Sequence, residues 1–145
     1  MKPEDRDHLA RHLSAGDLVA QQLGIELLTM DAGCASAALT VRADMSNGHG
    51  LCHGGIIFTL ADTTFGFAAN SRNVPGLAFS ASINYLSPGR LGERLHAGAM
   101  EVSRTGRTAI YDVTVRGEDG RTIALLRGTA RLARGERILD GIDPD

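Results

Sequence analysis

The sequence predicts an α+β domain in which a curved antiparallel sheet surrounds one long central helix. Two observations lead to this prediction. A continuous apolar segment at residues 56–70 has the length of a buried helix, too long for an average strand and too short to cross a membrane. Stretches of alternating or β-branched residues flank it, two before and four after, and glycine-containing turns separate them.

The elements before the central helix follow from local spacing. Apolar residues recur at helical intervals over about residues 1–23, which predicts a short helical lead-in. Its pattern is interrupted where Ser14 or Asp17 can cap a second helix. Two strands, at about residues 25–27 and 35–41, are then expected to form a hairpin.

After the central helix, four strand-like stretches predict an antiparallel meander. They are Leu77 to Leu86, Arg94 to Arg104, Thr108 to Val115 and Thr122 to Leu132. Residues 134–145 are charged and lack periodicity, so we expect a loose tail or a purely local contact there. The whole chain, residues 1–145, is expected to be one domain.

Composition excludes several classes of function. Fifteen Lys and Arg against 17 Asp and Glu give a formal net charge of −2, which leaves no broad basic face for a nucleic acid. The amino terminus is charged where a secretory signal would be apolar, so we expect a soluble protein without a membrane segment. Two cysteines cannot build a disulfide scaffold, and this favours a reducing, cytoplasmic location.

Asp62 is the residue that fits its surroundings least, because a carboxylate within an apolar helix is costly to desolvate. Two explanations are structural: Thr59, Thr63 and the backbone satisfy its oxygens, or these residues and Gly66 form an exposed stripe. The third is functional. At the wall of a pocket, partial burial would make the carboxylate an effective general base or nucleophile.

The start of the same helix favours the functional explanation. Gly54 and Gly55 follow His53 where free backbone N–H groups emerge from the first turn, and such groups bind developing negative charge as an oxyanion hole does. The alternative is that the two glycines only allow backbone segments to pass closely. We expect His53 to orient the loop through hydrogen bonds rather than to transfer protons.

Helix geometry then predicts a dimer. Gly54 and Asp62 are eight residues apart, which is about 12 Å along a helix axis, whereas one reacting carbonyl must lie about 3 Å from both groups. One chain cannot supply both. Two antiparallel helices related by a two-fold axis can, and they would form two composite sites.

These motifs, taken together, resemble the hotdog-fold acyl-CoA thioesterases of the phenylacetate-degradation type, the PaaI family. The similarity covers about residues 18–132. It is carried by Asn47-Gly48-His49-Gly50, His53-Gly54-Gly55, Leu60-Ala61-Asp62-Thr63, Asn70-Ser71, Tyr85-Leu86-Ser87-Pro88-Gly89 and Arg127-Gly128.

The resemblance implies hydrolysis of an acyl-CoA, of the phenylacetyl or hydroxyphenylacetyl kind, by a dimer of dimers without metal or cofactor. Asp62 matches the catalytic carboxylate, which attacks directly or activates water. Gly54 matches the residue whose N–H polarises the thioester carbonyl, and His53 the histidine before it. Asn47 matches a side chain that holds the thioester or the water, and Thr63 a residue beside the carboxylate.

Other charged or ligating groups give weaker signals. The candidate substrate-binding residues are Gly55, Arg90 and Arg107. The two arginines are included because they lie near turns, from which they could reach the CoA phosphates. The alternative is that both arginines are ordinary solvated surface residues. His49, Cys52 and His53 do not make a recognised zinc spacing, so no metal site is predicted.

Two rival functions use the same fold. A non-catalytic acyl-CoA-binding regulatory protein would lack turnover, and the retained carboxylate disfavours it. An acyl-CoA dehydratase would need an aspartate with a nearby downstream histidine, but no histidine lies between His53 and His96.

Overall fold

The computed structural model describes residues 1–145 and contains three α-helices, one 3₁₀ turn and six strands. The helices are α1 (Pro3–Gly16), α2 (Leu18–Leu23) and α3 (Gly54–Asn70), and the 3₁₀ turn is Ala43–Met45. The strands are β1 (Glu26–Asp31), β2 (Cys34–Thr40), β3 (Gly76–Tyr85), β4 (Arg94–Thr105), β5 (Thr108–Arg116) and β6 (Thr122–Leu132). The predicted class, an antiparallel sheet packed on one long helix, is confirmed. None of the helices combines the length and apolarity needed to span a bilayer.

The helical lead-in breaks where its sequence predicts. The Asp17 carboxylate accepts a hydrogen bond from the Ala20 N–H at 2.9 Å and thereby caps α2. Gly24 ends α2 in the left-handed region, at φ 71°. Leu13, near the end of α1, packs against the core, and both Leu13 and Asp17 line a cavity that is also lined by α3.

Helix α3 begins at Gly54, two residues before the apolar segment that predicted it, because the His53 side chain caps it. The prediction of a buried helix is wrong for one face of α3, and the alternative of an exposed stripe through Asp62 is the one that the structure shows. Its core face includes Leu60 and Phe65, whose exposure is 0% and 1%. The opposite face is partly exposed in the single chain and forms a stripe at helical spacing: Gly55, Thr59, Asp62, Thr63, Gly66 and Asn70.

The sheet order is β1-β2-β4-β5-β6-β3, so the predicted four-strand meander is only partly correct. Strands β4, β5 and β6 do form a meander, but β3 pairs with β6 at the far edge and not with β4. The reason is the path of α3, which contacts every strand of the sheet and delivers the chain beside β6. One long side of β3 therefore has no partner within the chain.

The carboxyl-terminal tail has no helix or strand, but it is neither loose nor held only by local contacts, so both predicted alternatives are wrong. Asn73, fully buried and with a positive φ of 60°, donates hydrogen bonds to the carbonyls of Leu139 at 2.9 Å and Ile142 at 2.8 Å. Its side-chain oxygen accepts from the Leu139 N–H at 2.8 Å. The Asp145 carboxylate also contacts the amino terminus and Arg6. These polar contacts hold the tail against the end of α3.

Gly128 provides a test of the core around α3. A Cβ atom built there would lie 2.7 Å from a ring carbon of buried Phe65, whereas one at Gly98, also within the sheet, would meet nothing within 4 Å. We expect Gly128→Ala to lower the free energy of unfolding by about 1–3 kcal/mol through overpacking. Gly98→Ala, the matched control, should be nearly neutral in urea denaturation. Equal midpoints for the two variants would contradict this packing.

Candidate active site

Asp62 lines a cavity of about 340 Å³ that lies between α3, the helical lead-in and the first residues of β3. The lining is largely apolar or small: Leu13, Asp17, Asp62, Thr63, Phe65, Gly66, Phe67, Ala69, Asn70, Gly76, Leu77 and Ala78. Thr63 thus shares the cavity with Asp62. A carboxylate in such a lining is well placed to meet a small reactive group.

The Asp62 carboxylate has no hydrogen-bond partner within the chain. The Thr59 hydroxyl, which could have satisfied it, donates instead to the Gly55 carbonyl at 2.8 Å. Burial, and secondly the negative charge of Asp17, raise the pKa of Asp62 above its usual value. The side chain is therefore uncommitted and more basic than an ordinary aspartate.

The amino terminus of α3 has one N–H group free. The Gly55 N–H donates to His53 Nδ1 at 2.9 Å, and the N–H groups of Ile56 and Ile57 share the His53 carbonyl, at 3.0 and 3.3 Å. The Gly54 N–H has no acceptor within the chain. Of the two glycines, Gly54 is thus the one able to donate to a ligand, at the positive end of the helix dipole.

Tyr85, which the sequence marks only as part of a motif, holds Gly54 in place. Its hydroxyl donates to the Gly54 carbonyl at 2.9 Å, and a Cβ atom at Gly54 would lie 3.3 Å from its ring. Gly54, Tyr85 and Asn47 all line a second cavity, of about 350 Å³. The Asn47 side-chain oxygen accepts from the N–H groups of His49 at 2.8 Å and Leu51 at 3.1 Å, which shapes the preceding loop.

A partly buried ion pair supports this loop. Arg121 donates to both carboxylate oxygens of Glu93, at 2.6 and 2.7 Å, and these bonds lower the pKa of Glu93 to about 2. Arg121 also donates to the Pro88 carbonyl at 2.7 Å. The adjoining Gly89 carbonyl accepts from the Cys52 N–H at 2.9 Å, which links the ion pair to the residue before His53.

Within one chain, Gly54 and Asp62 do not meet. They lie two helical turns apart on α3, and each lines a different cavity. Asn47 accompanies Gly54, and Thr63 accompanies Asp62. The predicted site residues therefore form two half-sites.

The two predicted arginines also lie apart. Arg107 lines a cleft of about 480 Å³ together with Arg104, Arg134 and Arg137, formed by the β4–β5 turn and the tail. Arg90 is exposed and pairs through its backbone with Leu51, in the loop before α3. Spacing alone did not indicate the arginine cleft, because half of its cations come from the tail that Asn73 anchors.

Neither cysteine forms a disulfide, and no three His, Cys, Asp or Glu side chains are grouped to hold a metal ion. Burial, and secondly the charge of Glu93, raise the pKa of the Cys52 thiol to about 11. A thiol with so high a pKa is a poor nucleophile at neutral pH. Cys52, although it lines the Gly54 cavity, acts as a packing residue.

Comparison with known proteins gives the class. A family model described as the Thioesterase superfamily matches residues 49–124, just over half of the chain. The chain belongs to the thioesterase superfamily. The match includes Gly54, Asp62 and Arg107, and Asn47 lies two residues before it.

Particular relatives place it more closely. The chain is 38% identical over 126 residues to the acyl-coenzyme A thioesterase PaaI of Escherichia coli, which covers 87% of this chain and 90% of that protein. The structure of E. coli PaaI, from the phenylacetic acid degradation operon, superposes with a TM-score of 0.88 at 36% identity, over 92% of this chain and 96% of that one. A hypothetical thioesterase from Streptococcus pneumoniae, solved with coenzyme A, has a TM-score of 0.74 at 29% identity, over 78% and 90% of the chains. The predicted PaaI-type resemblance, hotdog fold and thioester hydrolase class are confirmed.

The cysteines provide a test of the surroundings of the Gly54 cavity. At pH 8 roughly one Cys52 thiol in a thousand is ionised if its pKa is about 11, so labelling by a thiol reagent in the native protein should be slow. Partly exposed Cys34 should react first. Mass spectrometry of wild type and Cys34→Ser would identify the labelled residue, and fast labelling of Cys34→Ser at pH 8 would contradict a buried Cys52.

Proposed function

We propose that the protein hydrolyses acyl-CoA thioesters to CoA and a free carboxylic acid, at a site to which two subunits contribute. The observation that carries the proposal is the Asp62 carboxylate, which lines an apolar cavity without any hydrogen-bond partner. Because nothing in the chain neutralises or occupies it, its lone pairs are available to a substrate or a water. Membership of the thioesterase superfamily fits this chemistry.

Hydrolysis needs only an oriented carbonyl, an N–H donor and a base, because a thioester carbonyl is already electrophilic. In our proposal the free Gly54 N–H polarises the carbonyl, and Asp62 activates water or attacks directly. The Asn47 amide group and Thr63 help to hold the thioester and the water. His53, whose Nδ1 accepts from Gly55, positions the donor and transfers no proton.

A second copy of the chain would bring the two half-sites together along β3. This ten-residue edge strand exposes Leu77 at 78% and Phe79 at 69%, an apolar edge that soluble proteins normally cover. Its first residues line the Asp62 cavity, and its last residue, Tyr85, lines the Gly54 cavity. Antiparallel pairing of two β3 strands about a two-fold axis therefore places each Asp62 cavity opposite Gly54 of the partner subunit.

We infer further that two such dimers associate as a tetramer. The β4 and β6 strands expose Met100 at 64%, Val102 at 53% and Leu125 at 43%, and apolar side chains on an open sheet face favour association. Sedimentation equilibrium tests this inference: the mass of four chains is expected, and a stable two-chain mass would exclude it.

The arginine cleft suits the phosphates of CoA. Four arginines line the cleft, whereas only two carboxylates lie nearby, those of Glu136 and Asp143. Asp143 is paired with Arg137 at 3.0 Å. The cleft adjoins the Asp62 cavity, because Leu132 of the cleft pairs with Gly76 of the cavity. A ligand with an anionic end and a reactive thioester could reach both. Arg90 is a second candidate cation, beside the loop that carries Gly54.

For the acyl group we propose an aryl or arylacetyl chain of the phenylacetyl type. Phe65 and Phe67 are among the residues that line the Asp62 cavity, and the E. coli relative comes from a phenylacetic acid degradation operon. A higher kcat/KM for short aliphatic acyl-CoAs than for phenylacetyl-CoA would refute the acyl assignment.

We also propose that the protein works in a reducing compartment, the cytoplasm, because Cys34 and Cys52 are free thiols.

Asp62→Asn tests the hydrolase directly. The substitution keeps the size of the side chain and removes its basicity, so we expect kcat to fall roughly 10²–10⁴-fold with phenylacetyl-CoA, measured as free thiol released. Asp140→Asn, an exposed aspartate of the tail, serves as the matched control and should retain full activity.

Three outcomes would overturn the assignment. Near-normal turnover of Asp62→Asn removes the carboxylate from the chemistry. Absence of thiol release across a panel of acyl-CoAs indicates a binding protein. A product mass that keeps CoA and gains or loses one water indicates a dehydratase.

Arg107→Ala tests the phosphate site. Loss of one charge-assisted contact should raise KM for an acyl-CoA about tenfold while kcat stays within a factor of two. The same acyl group on N-acetylcysteamine, which has no phosphates, should show no difference between variant and wild type. Arg11→Ala, an exposed arginine of α1, is the control for net charge. An equal KM effect on both substrates would contradict the assignment.

A further inference from the structure

A second carboxylate lies in the Asp62 cavity. Asp17, at the junction of α1 and α2, lines the cavity from the side of the lead-in. The two residues are 45 positions apart in the sequence and are brought together only by the packing of the lead-in on α3. The proposed hydrolysis uses Asp62 and leaves Asp17 without a role.

The position of the Asp17 carboxylate is fixed by its bond from the Ala20 N–H at 2.9 Å. It cannot swing away from the cavity without uncapping α2. Leu13, one turn earlier in α1, lines the same wall and packs against the core. The capping bond and the packing of Leu13 therefore keep the Asp17 carboxylate at the cavity wall.

No other charged group faces Asp62 in the cavity. The lining residues from α3 are neutral apart from Asp62 itself, those from β3 are Gly76, Leu77 and Ala78, and the lead-in adds only Leu13 and Asp17. The lining of the cavity itself contains no lysine or arginine. The largely apolar lining also screens them from each other less than water would.

We propose that Asp17 is a positioning residue that favours proton transfer to Asp62, because the fold holds its carboxylate in the same cavity. Like charges disfavour joint ionisation, so Asp62 takes a proton more readily than an isolated aspartate would. A general base works best when its basicity approaches that of the medium. The inference rests on the proposed function only for its benefit to catalysis; the electrostatic coupling itself does not depend on it.

Two substitutions separate the charge of Asp17 from its capping bond. Asp17→Asn removes the charge and keeps a good cap, whereas Asp17→Glu keeps the charge and weakens the cap. The titration of Asp62 is followed by its ¹³Cγ chemical shift in the substrate-free protein, and the melting temperature is measured alongside. Asp62→Asn identifies the resonance.

In Asp17→Asn the titration midpoint of Asp62 should move to lower pH with an unchanged melting temperature. In Asp17→Glu the midpoint should stay and the melting temperature should fall. The acid limb of the pH profile of kcat/KM should shift together with the titration midpoint of Asp62. At the low-pH end of that limb, kcat/KM relative to its plateau value should therefore be at least about twofold higher in Asp17→Asn than in wild type.

An unchanged Asp62 midpoint in Asp17→Asn would overturn the inference, as would an equal shift in both variants. A shifted midpoint in a protein that hydrolyses no acyl-CoA would leave the coupling intact and refute the proposed function instead.

Discussion

A rigid helix rises 1.5 Å per residue, and this holds the Gly54 amide and the Asp62 side chain about 12 Å apart in any single chain. The chemistry proposed for them requires both groups within about 3 Å of one carbonyl. No rotamer change can close that gap, because the donor is a backbone group at the helix end. The two separate cavities, the partly exposed stripe of α3 and the uncovered edge of β3 support the proposal that the site is divided between subunits.

The fold prepares both halves of such a site independently. At the start of α3, His53 accepts from the Gly55 N–H and Tyr85 donates to the Gly54 carbonyl, which leaves the Gly54 N–H without an acceptor. Further along α3, the Asp62 carboxylate lines a cavity and has no hydrogen-bond partner within the chain. Strand β3 touches both places, at its first and last residues. In the proposed dimer, this exposed edge strand would link the assembly of the protein to the chemistry of its site.

Sequence reasoning succeeded where the signal is local. The apolar run predicts α3, and Asp17 is recognisable as a cap from its own spacing. It failed where partners are distant in the chain. The pairing of β3 with β6 depends on the path of α3 across the sheet, and the anchoring of the tail depends on Asn73, 66 residues before Leu139. A capping aspartate likewise looks the same whether or not it faces a second carboxylate, so its place beside Asp62 could not be predicted.

The most direct measurement is the activity of mixed oligomers of two inactive variants, Asp62→Asn and Gly54→Pro. Proline is tolerated at the first residue of a helix, and His53 already has the extended backbone that a following proline requires. In a mixed dimer one site keeps both an Asp62 and a Gly54 from different chains, so random co-assembly should restore about a quarter of wild-type activity, since about half of the dimers are mixed and each has one intact site. Mixed oligomers as inactive as either parent would contradict a site divided between subunits.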